Sequence, residues 1–192
     1  LDAEGRLHVE KTSSTPGDFK PGVLVGVDKI LGNLRAVTGR KDLTLADVDY
    51  FVHGATVVLN ALIERKLPKT ALITTRGFRD VLEIMRTNNP AMYDLKWVKP
   101  APLIERKYRF EITERMRHTG AVWNPLDEAE TRALARNIRA LGINAVAVCL
   151  LHSYSNPAHE NRVKALFAEE HPDCVVVLSS DIAPEIREFE RT

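Results

Sequence analysis

Between Asp49 and Met85 the chain runs twice through the same three steps: a short apolar stretch, a turn containing glycine, and a segment with helical spacing. The first pass is Asp49–Val52, His53-Gly54, and then a face of Val58, Leu59, Leu62 and Ile63 that Pro68 brings to an end. The second is Thr70–Thr75, Arg76-Gly77, and a helical pattern from Phe78 to Met85. Consecutive strand–turn–helix units pack side by side through right-handed crossovers, which gives a parallel sheet covered by helices. The expected class is therefore α/β.

Other segments fit that class. Leu7–Thr12 alternates as a strand, and Thr12–Asp18 is a Ser/Thr/Pro/Gly loop. From Phe19 to Val37, the residues Val23, Val27, Ile30, Leu31 and Leu34 recur at helical spacing. Tyr108–Arg115 alternates as a strand, followed by a turn and a short extended piece up to Asn124-Pro125. Asp127–Leu141 reads as a helix with Leu134, Ile138 and Leu141 on one face, and Gly142 stands where a left-handed cap is needed. Ile143–Leu151 is a near-continuous apolar strand, as expected when both faces are covered. Asn156-Pro157 opens a helix that buries Val163, Leu166 and Phe167, and Cys174–Ser180 reads as another buried strand. The segment Arg86–Glu105 has no period. Loops of that length are usually functional or interfacial, and Met92, Tyr93 and Trp97 read as an interface there.

Charge and composition remove several function classes. With 27 Lys+Arg against 26 Asp+Glu the net charge is +1, so no long-range field favours nucleic acid or an anionic membrane. No apolar run is long enough to span a bilayer, and the first residues do not resemble a secretory signal. Cys149 and Cys174 lack metal-ligand spacing and read as reduced core residues of a cytoplasmic protein, with a disulfide as the alternative.

Ligands of parallel sheets bind at the carboxyl ends of strands, where helix N-termini also point. Three such ends carry polar groups here: His53, Gly54, Thr56 and Asn60; Thr75, Arg76 and Gly77; and His152, Ser153 and Tyr154. Glycine permits close backbone approach, and free amides at a helix start favour an anion such as phosphate. The same residues also suit a simple helix cap at Thr56, with His53 as a structural residue. His152, His159 and Glu160 match no zinc spacing. Ser153 lacks the Gly-x-Ser-x-Gly setting of a hydrolase nucleophile.

Seven stretches, in order, carry a resemblance over nearly the whole chain: VEKTSSTPGD, FVHGATVVLNALIERK, TALITTRGFRDVLEIMR, PAMYDL, PLDEAETRAL, INAVAVCLLHSYSNPAHE and LSSDIAPEIREFERT. Together they resemble the N-terminal region of the hydantoinase A / 5-oxoprolinase family, which includes acetone and acetophenone carboxylase subunits. Ala55 stands where the family pattern has Thr, whereas Thr56 matches it. The resemblance implies an RNase H-like, actin-like ATPase lobe over residues 1–105, lacking its first phosphate hairpin, and a second α/β segment over 106–192. It further implies ATP with Mg²⁺ in the full-length protein, used to activate a carbonyl or amide oxygen of a cyclic amide or, in the carboxylases, a ketone. A B-type subunit is the implied partner, and a non-catalytic assembly role is the alternative. On this reading the chain is a piece of a longer protein, inactive and without tightly bound nucleotide by itself. The residues expected near substrate or phosphate are His53, Gly54, Thr56, Asn60, Arg76 and Gly77.

Overall fold

The computed structural model describes residues 5–13, 15, 17–50, 56–86 and 93–192. The chain divides into two compact units, Leu1–Thr56 and Val57–Thr192.

The first unit is built on helix α1, Lys20–Thr38, where the helical spacing predicts one. Proline in its first turn costs no hydrogen bond. Gly39, at φ 71°, closes the helix by donating its amide to the Arg35 carbonyl. The strand expected over Leu7–Thr12 does not form. Those residues take no ladder partner and lie along α1, where Lys29 donates to the Lys11 carbonyl and Asn33 to the Glu10 carboxylate. Alternation makes a strand possible, but only a neighbouring strand makes it real. The strand expected over Asp49–Val52 is likewise not seen in its described part: Asp49 and Tyr50 are exposed and irregular, and Phe51 and Val52 lie outside the described residues.

The second unit begins with helix α2, Val57–Ile63, whose expected apolar face (Val58, Leu59, Leu62, Ile63) is exposed. Strand β1 follows at Thr70–Thr75, then a short helix α3 at Val81–Ile84. Strands β2 (Arg109–Ile112), β3 (Arg115–Met116) and β4 (Val122–Asn124) come next. The second half runs α4 (Glu128–Ala140), β5 (Ala145–Cys149), α5 (Ala158–Glu170) and β6 (Val175–Leu178). It closes with the single turns α6 (Ser179–Ile182) and α7 (Glu188–Arg191). Four strands form one sheet in the order β2-β1-β5-β6, every pair parallel, while β3 and β4 make a separate antiparallel ribbon. The sheet thus draws strands from both sides of the expected division at residue 105.

Register explains which residues are buried. Ala71 pairs with Val146 and Ile73 with Val148, so these four share one face, joined by Ile112 and Leu178. Helices α4 and α5 pack together on this core through Ala135 and Ile138 on one and Val163 and Phe167 on the other. The α4 stripe is therefore Thr131, Ala135 and Ile138, with Leu141 beyond it and exposed. Asp127 caps α4 by accepting the Glu130 amide, and Gly142 takes φ 66° just past the helix end, where the sequence predicts a left-handed cap.

The opposite face is also covered. Leu72 is buried there, and Arg109 of β2, beside it in register, is 2% exposed. Such a charge survives burial only when paired. Arg109 bonds Glu83 of α3 at 2.9 Å and the Ile104 carbonyl at 2.8 and 2.9 Å. One strand departs from expectation: β6 is the sheet edge, and Val175 and Val177 are exposed rather than buried. Both cysteines are free; Cys149 is buried in β5 and Cys174 lies just before β6.

Candidate functional site

The carboxyl ends of β1 and β2 border a cleft of about 570 Å³, lined by Thr75, Arg76, Thr113, Glu114, Arg115, Trp123 and Asn124. Its floor starts at Thr75, the buried last residue of β1. That hydroxyl accepts the Leu151 amide at 3.0 Å, just past the end of β5, and donates to the carboxylate of Glu114. The second Glu114 oxygen faces Nδ1 of His159 at 2.8 Å, in the first turn of α5. Thr75, Glu114 and His159 are all buried. A buried polar chain of this kind is tolerated because each partner satisfies the next.

The turn after β1 has its own anion. Gly77, at φ 88°, occupies backbone space that a side chain enters only with strain. The turn aims amides toward one point, and Glu111 of β2 fills it: the Gly77 amide donates to its carboxylate at 2.7 Å and the Arg79 amide at 3.3 Å. The phosphate-like seat expected at Gly77 is therefore taken by the protein's own carboxylate. Arg76 is similarly engaged. Its Nε donates to the Thr113 hydroxyl at 2.8 Å and its guanidinium pairs with Glu130, which also accepts the Thr113 amide at 2.7 Å.

Arg115 forms the wall. Its guanidinium lies over Phe78, 5.0 Å from the ring centre, and near Trp123 at 5.9 Å; Arg117 takes another position over Trp123 at 5.2 Å. Nε of Arg115 is buried and meets no acceptor.

Two further polar groups lie at the ends of β5 and β6. Glu160 is fully buried and accepts four donors: the Leu150 and Ser180 amides at 2.9 Å, and the Ser179 and Ser180 hydroxyls at 2.6 and 2.7 Å. His152 holds φ 59° and meets the Tyr154 hydroxyl at 3.3 Å and the edge of the His118 ring. Burial pushes its pKa below the ordinary histidine value; Glu188 pulls the other way, and Arg115, His118 and Arg191 add to the lowering. Ser153 bonds Ser179 and Asp181 pairs with Lys164, so no hydrolase triad assembles from them. Among the described residues, no three His, Cys, Asp or Glu side chains gather as a metal site.

Of the residues the sequence singled out, Arg76 lines the cleft and Gly77 shapes the turn beside it. Asn60 sits exposed on α2, Thr56 is exposed at the end of the first unit, and His53 and Gly54 lie outside the described residues. Glu114, Arg115, Trp123, Asn124 and His159 were not anticipated as site residues. The one signal for them was position: Thr113-Glu114-Arg115 follows directly on a strand whose carboxyl end faces the same way as that of β1.

Comparison with known proteins follows the geometry closely. The sequence model of the hydantoinase/oxoprolinase N-terminal region matches residues 1–171. The gamma subunit of acetophenone carboxylase from Aromatoleum aromaticum is 34% identical, over 100% of this chain and 28% of that protein. The crystal structure of ATP-dependent caprolactamase from Pseudomonas jessenii superposes with a TM-score of 0.84 at 33% identity, covering 100% of this chain and 28% of that one. Nucleotide-free acetone carboxylase gives a TM-score of 0.79 at 27% identity, covering 93% and 26%. The chain thus spans about a quarter of the length of these relatives.

Proposed function

Since the chain belongs to the hydantoinase/oxoprolinase family, within its N-terminal region, we propose that the whole protein uses ATP to activate the amide carbonyl of a small cyclic amide for hydrolysis. The observation that carries this reading is the likeness to ATP-dependent caprolactamase over all of this chain, since caprolactam is itself a cyclic amide. On this proposal the cleft at the ends of β1 and β2 forms part of the reaction chamber, with Arg76 and the Gly77 turn in its rim. His53, Gly54, Thr56 and Asn60 are proposed as further substrate- or phosphate-facing residues.

The described residues do not themselves fit a Mg²⁺–ATP cradle. The Gly77 amide is engaged by Glu111, and no acidic cluster is present among them to hold a cation. Phosphoryl transfer needs both a backbone cradle and a divalent ion. Nucleotide and Mg²⁺ are accordingly proposed to be held elsewhere in the whole protein, and the described chain to contribute scaffold and chamber wall. A cytoplasmic location and a B-type partner subunit complete the proposal, the latter supported by relatives that are named as subunits. Among the described residues no helix is long and apolar enough to cross a membrane.

A second reading has its own support. The 34% identity to an acetophenone carboxylase subunit suits ATP-dependent activation of a ketone for carboxylation. ADP release by the whole protein with its partner, measured with caprolactam, 5-oxoproline, acetone and acetophenone, separates the two. Stimulation by a cyclic amide is expected. Stimulation by a ketone with bicarbonate, and none by any cyclic amide, would replace the first reading with the second.

A further inference from the structure

We infer that Arg115 and Asn124, opposite each other across the β3–β4 ribbon, form an oxyanion subsite in the cleft, taking the carboxylate or phosphoryl group of a small ligand.

The other charges bordering the cleft are already engaged. Arg76 is held by Thr113 and Glu130, and both oxygens of Glu114 are taken by Thr75 and His159. Arg115 differs. Among the described residues no carboxylate or carbonyl meets its guanidinium, and its Nε is buried without an acceptor. Its neighbours are the rings of Phe78 and Trp123, which fix the group by its attraction to their π-faces and accept no N–H bond in the guanidinium plane. A buried N–H without an acceptor, on a half-buried guanidinium, is costly to maintain and gains most from a charged, planar or tetrahedral oxyanion.

The backbone adds a second, independent observation. Arg115 and Asn124 are direct partners in the antiparallel register, so their side chains stand on one face of the ribbon with β-carbons roughly 5 Å apart. The register shifts between Arg115 and Met116, an irregularity of the kind that re-aims a side chain. Asn124 thus brings an amide donor beside the guanidinium. Thr113 lines the same cleft, and because its oxygen accepts from Arg76, its own hydroxyl proton is free to be donated. The result is a group of donors from Arg115, Asn124 and Thr113 with no carboxylate placed against the guanidinium, at the mouth of a space large enough for a small molecule.

The subsite deepens the proposed reading, on which the identity of its ligand rests: a cyclic amide bearing a carboxylate would be held there, or the phosphoryl group of its activated form. Binding to the whole protein without nucleotide, followed by calorimetry, tests it with three probes. These are 5-oxoproline, 2-pyrrolidinone (the same ring without the carboxylate) and inorganic phosphate. At least one anion should bind roughly tenfold or more tightly than 2-pyrrolidinone. The anion that does so identifies the source of the oxyanion. Arg115→Gln should remove that advantage. Asn124→Asp, at an exposed position, should weaken anions by about tenfold and 2-pyrrolidinone by much less. Equal binding of charged and neutral lactams with no phosphate binding would overturn the inference, as would full anion binding in both variants. Because no nucleotide is present, this result stands apart from ADP release: either can fail while the other holds.

Discussion

Nδ1 of His159 lies 2.8 Å from Oε2 of Glu114, so the first turn of α5 is tied to the segment that leaves β2. The two residues are 45 positions apart, and the same carboxylate also holds the Thr75 hydroxyl at the end of β1. One buried side chain therefore locks three elements around the floor of the cleft.

Replacing that carboxylate should loosen all three. Glu114→Ala strands the Thr75 hydroxyl and the His159 ring in a buried site, which costs about 2–4 kcal/mol. Glu114→Gln keeps one acceptor and should cost about half as much. Urea unfolding measures both, and a Glu114→Ala midpoint indistinguishable from the parent would show that the chain of bonds contributes nothing.

Glu160 makes a larger commitment, with four donors on one carboxylate. Glu160→Gln places an NH₂ group against at least one of those donors and removes a charge that all four favour. A loss of about 3 kcal/mol is expected. Amide hydrogen exchange at Leu150 and Ser180 should speed up before exchange in β1 does. Uniform acceleration across the sheet would argue that Glu160 is not a local clasp.

His152 makes stability depend on pH. Its pKa is lowered in the folded protein, first by burial, so the unfolded chain binds a proton there more readily than the folded one. Its contribution is complete above about pH 6.5 and is lost as pH falls through the lowered value. His152→Asn suits the positive φ, because asparagine tolerates that conformation. Between pH 7.5 and 5.5 the variant should lose less stability than the parent; equal losses would assign the slope to other groups.

Tyr93, Leu95 and Val98 are almost wholly exposed, in the segment expected to form an interface. If the proposed B-type partner docks there, Leu95→Ser should weaken co-purification with that subunit about tenfold or more without changing the unfolding midpoint. Unchanged co-purification would place the contact elsewhere.

How much of this was legible in the sequence depends on whether the signal is local. Thr70–Thr75, the helix over Asp127–Leu141 and the Gly142 stop were read correctly because each rests on a few neighbouring residues. The strands at Leu7–Thr12 and β6 were misjudged because pairing and edge position are set by distant partners. The site divides the same way. Arg76 and Gly77 stand out locally by their place after a strand, but nothing near Glu114 announces His159, nor does Gly77 announce that Glu111 will fill its turn.

Strand β1 is interior to the sheet, and its neighbours β2 and β5 both lie later in the chain. During synthesis it leaves the ribosome before both of them and cannot be covered on its second edge until Ala145–Cys149 emerges, about 70 residues later, or several seconds at ordinary translation rates. Throughout that interval the nascent chain carries Ala71, Leu72 and Ile73 with an open edge, a ready template for pairing with another nascent chain. The arrangement that seats Thr75 in the floor of the finished cleft thus leaves its strand half-paired until β5 arrives, an interval in which pairing with the wrong partner competes with folding.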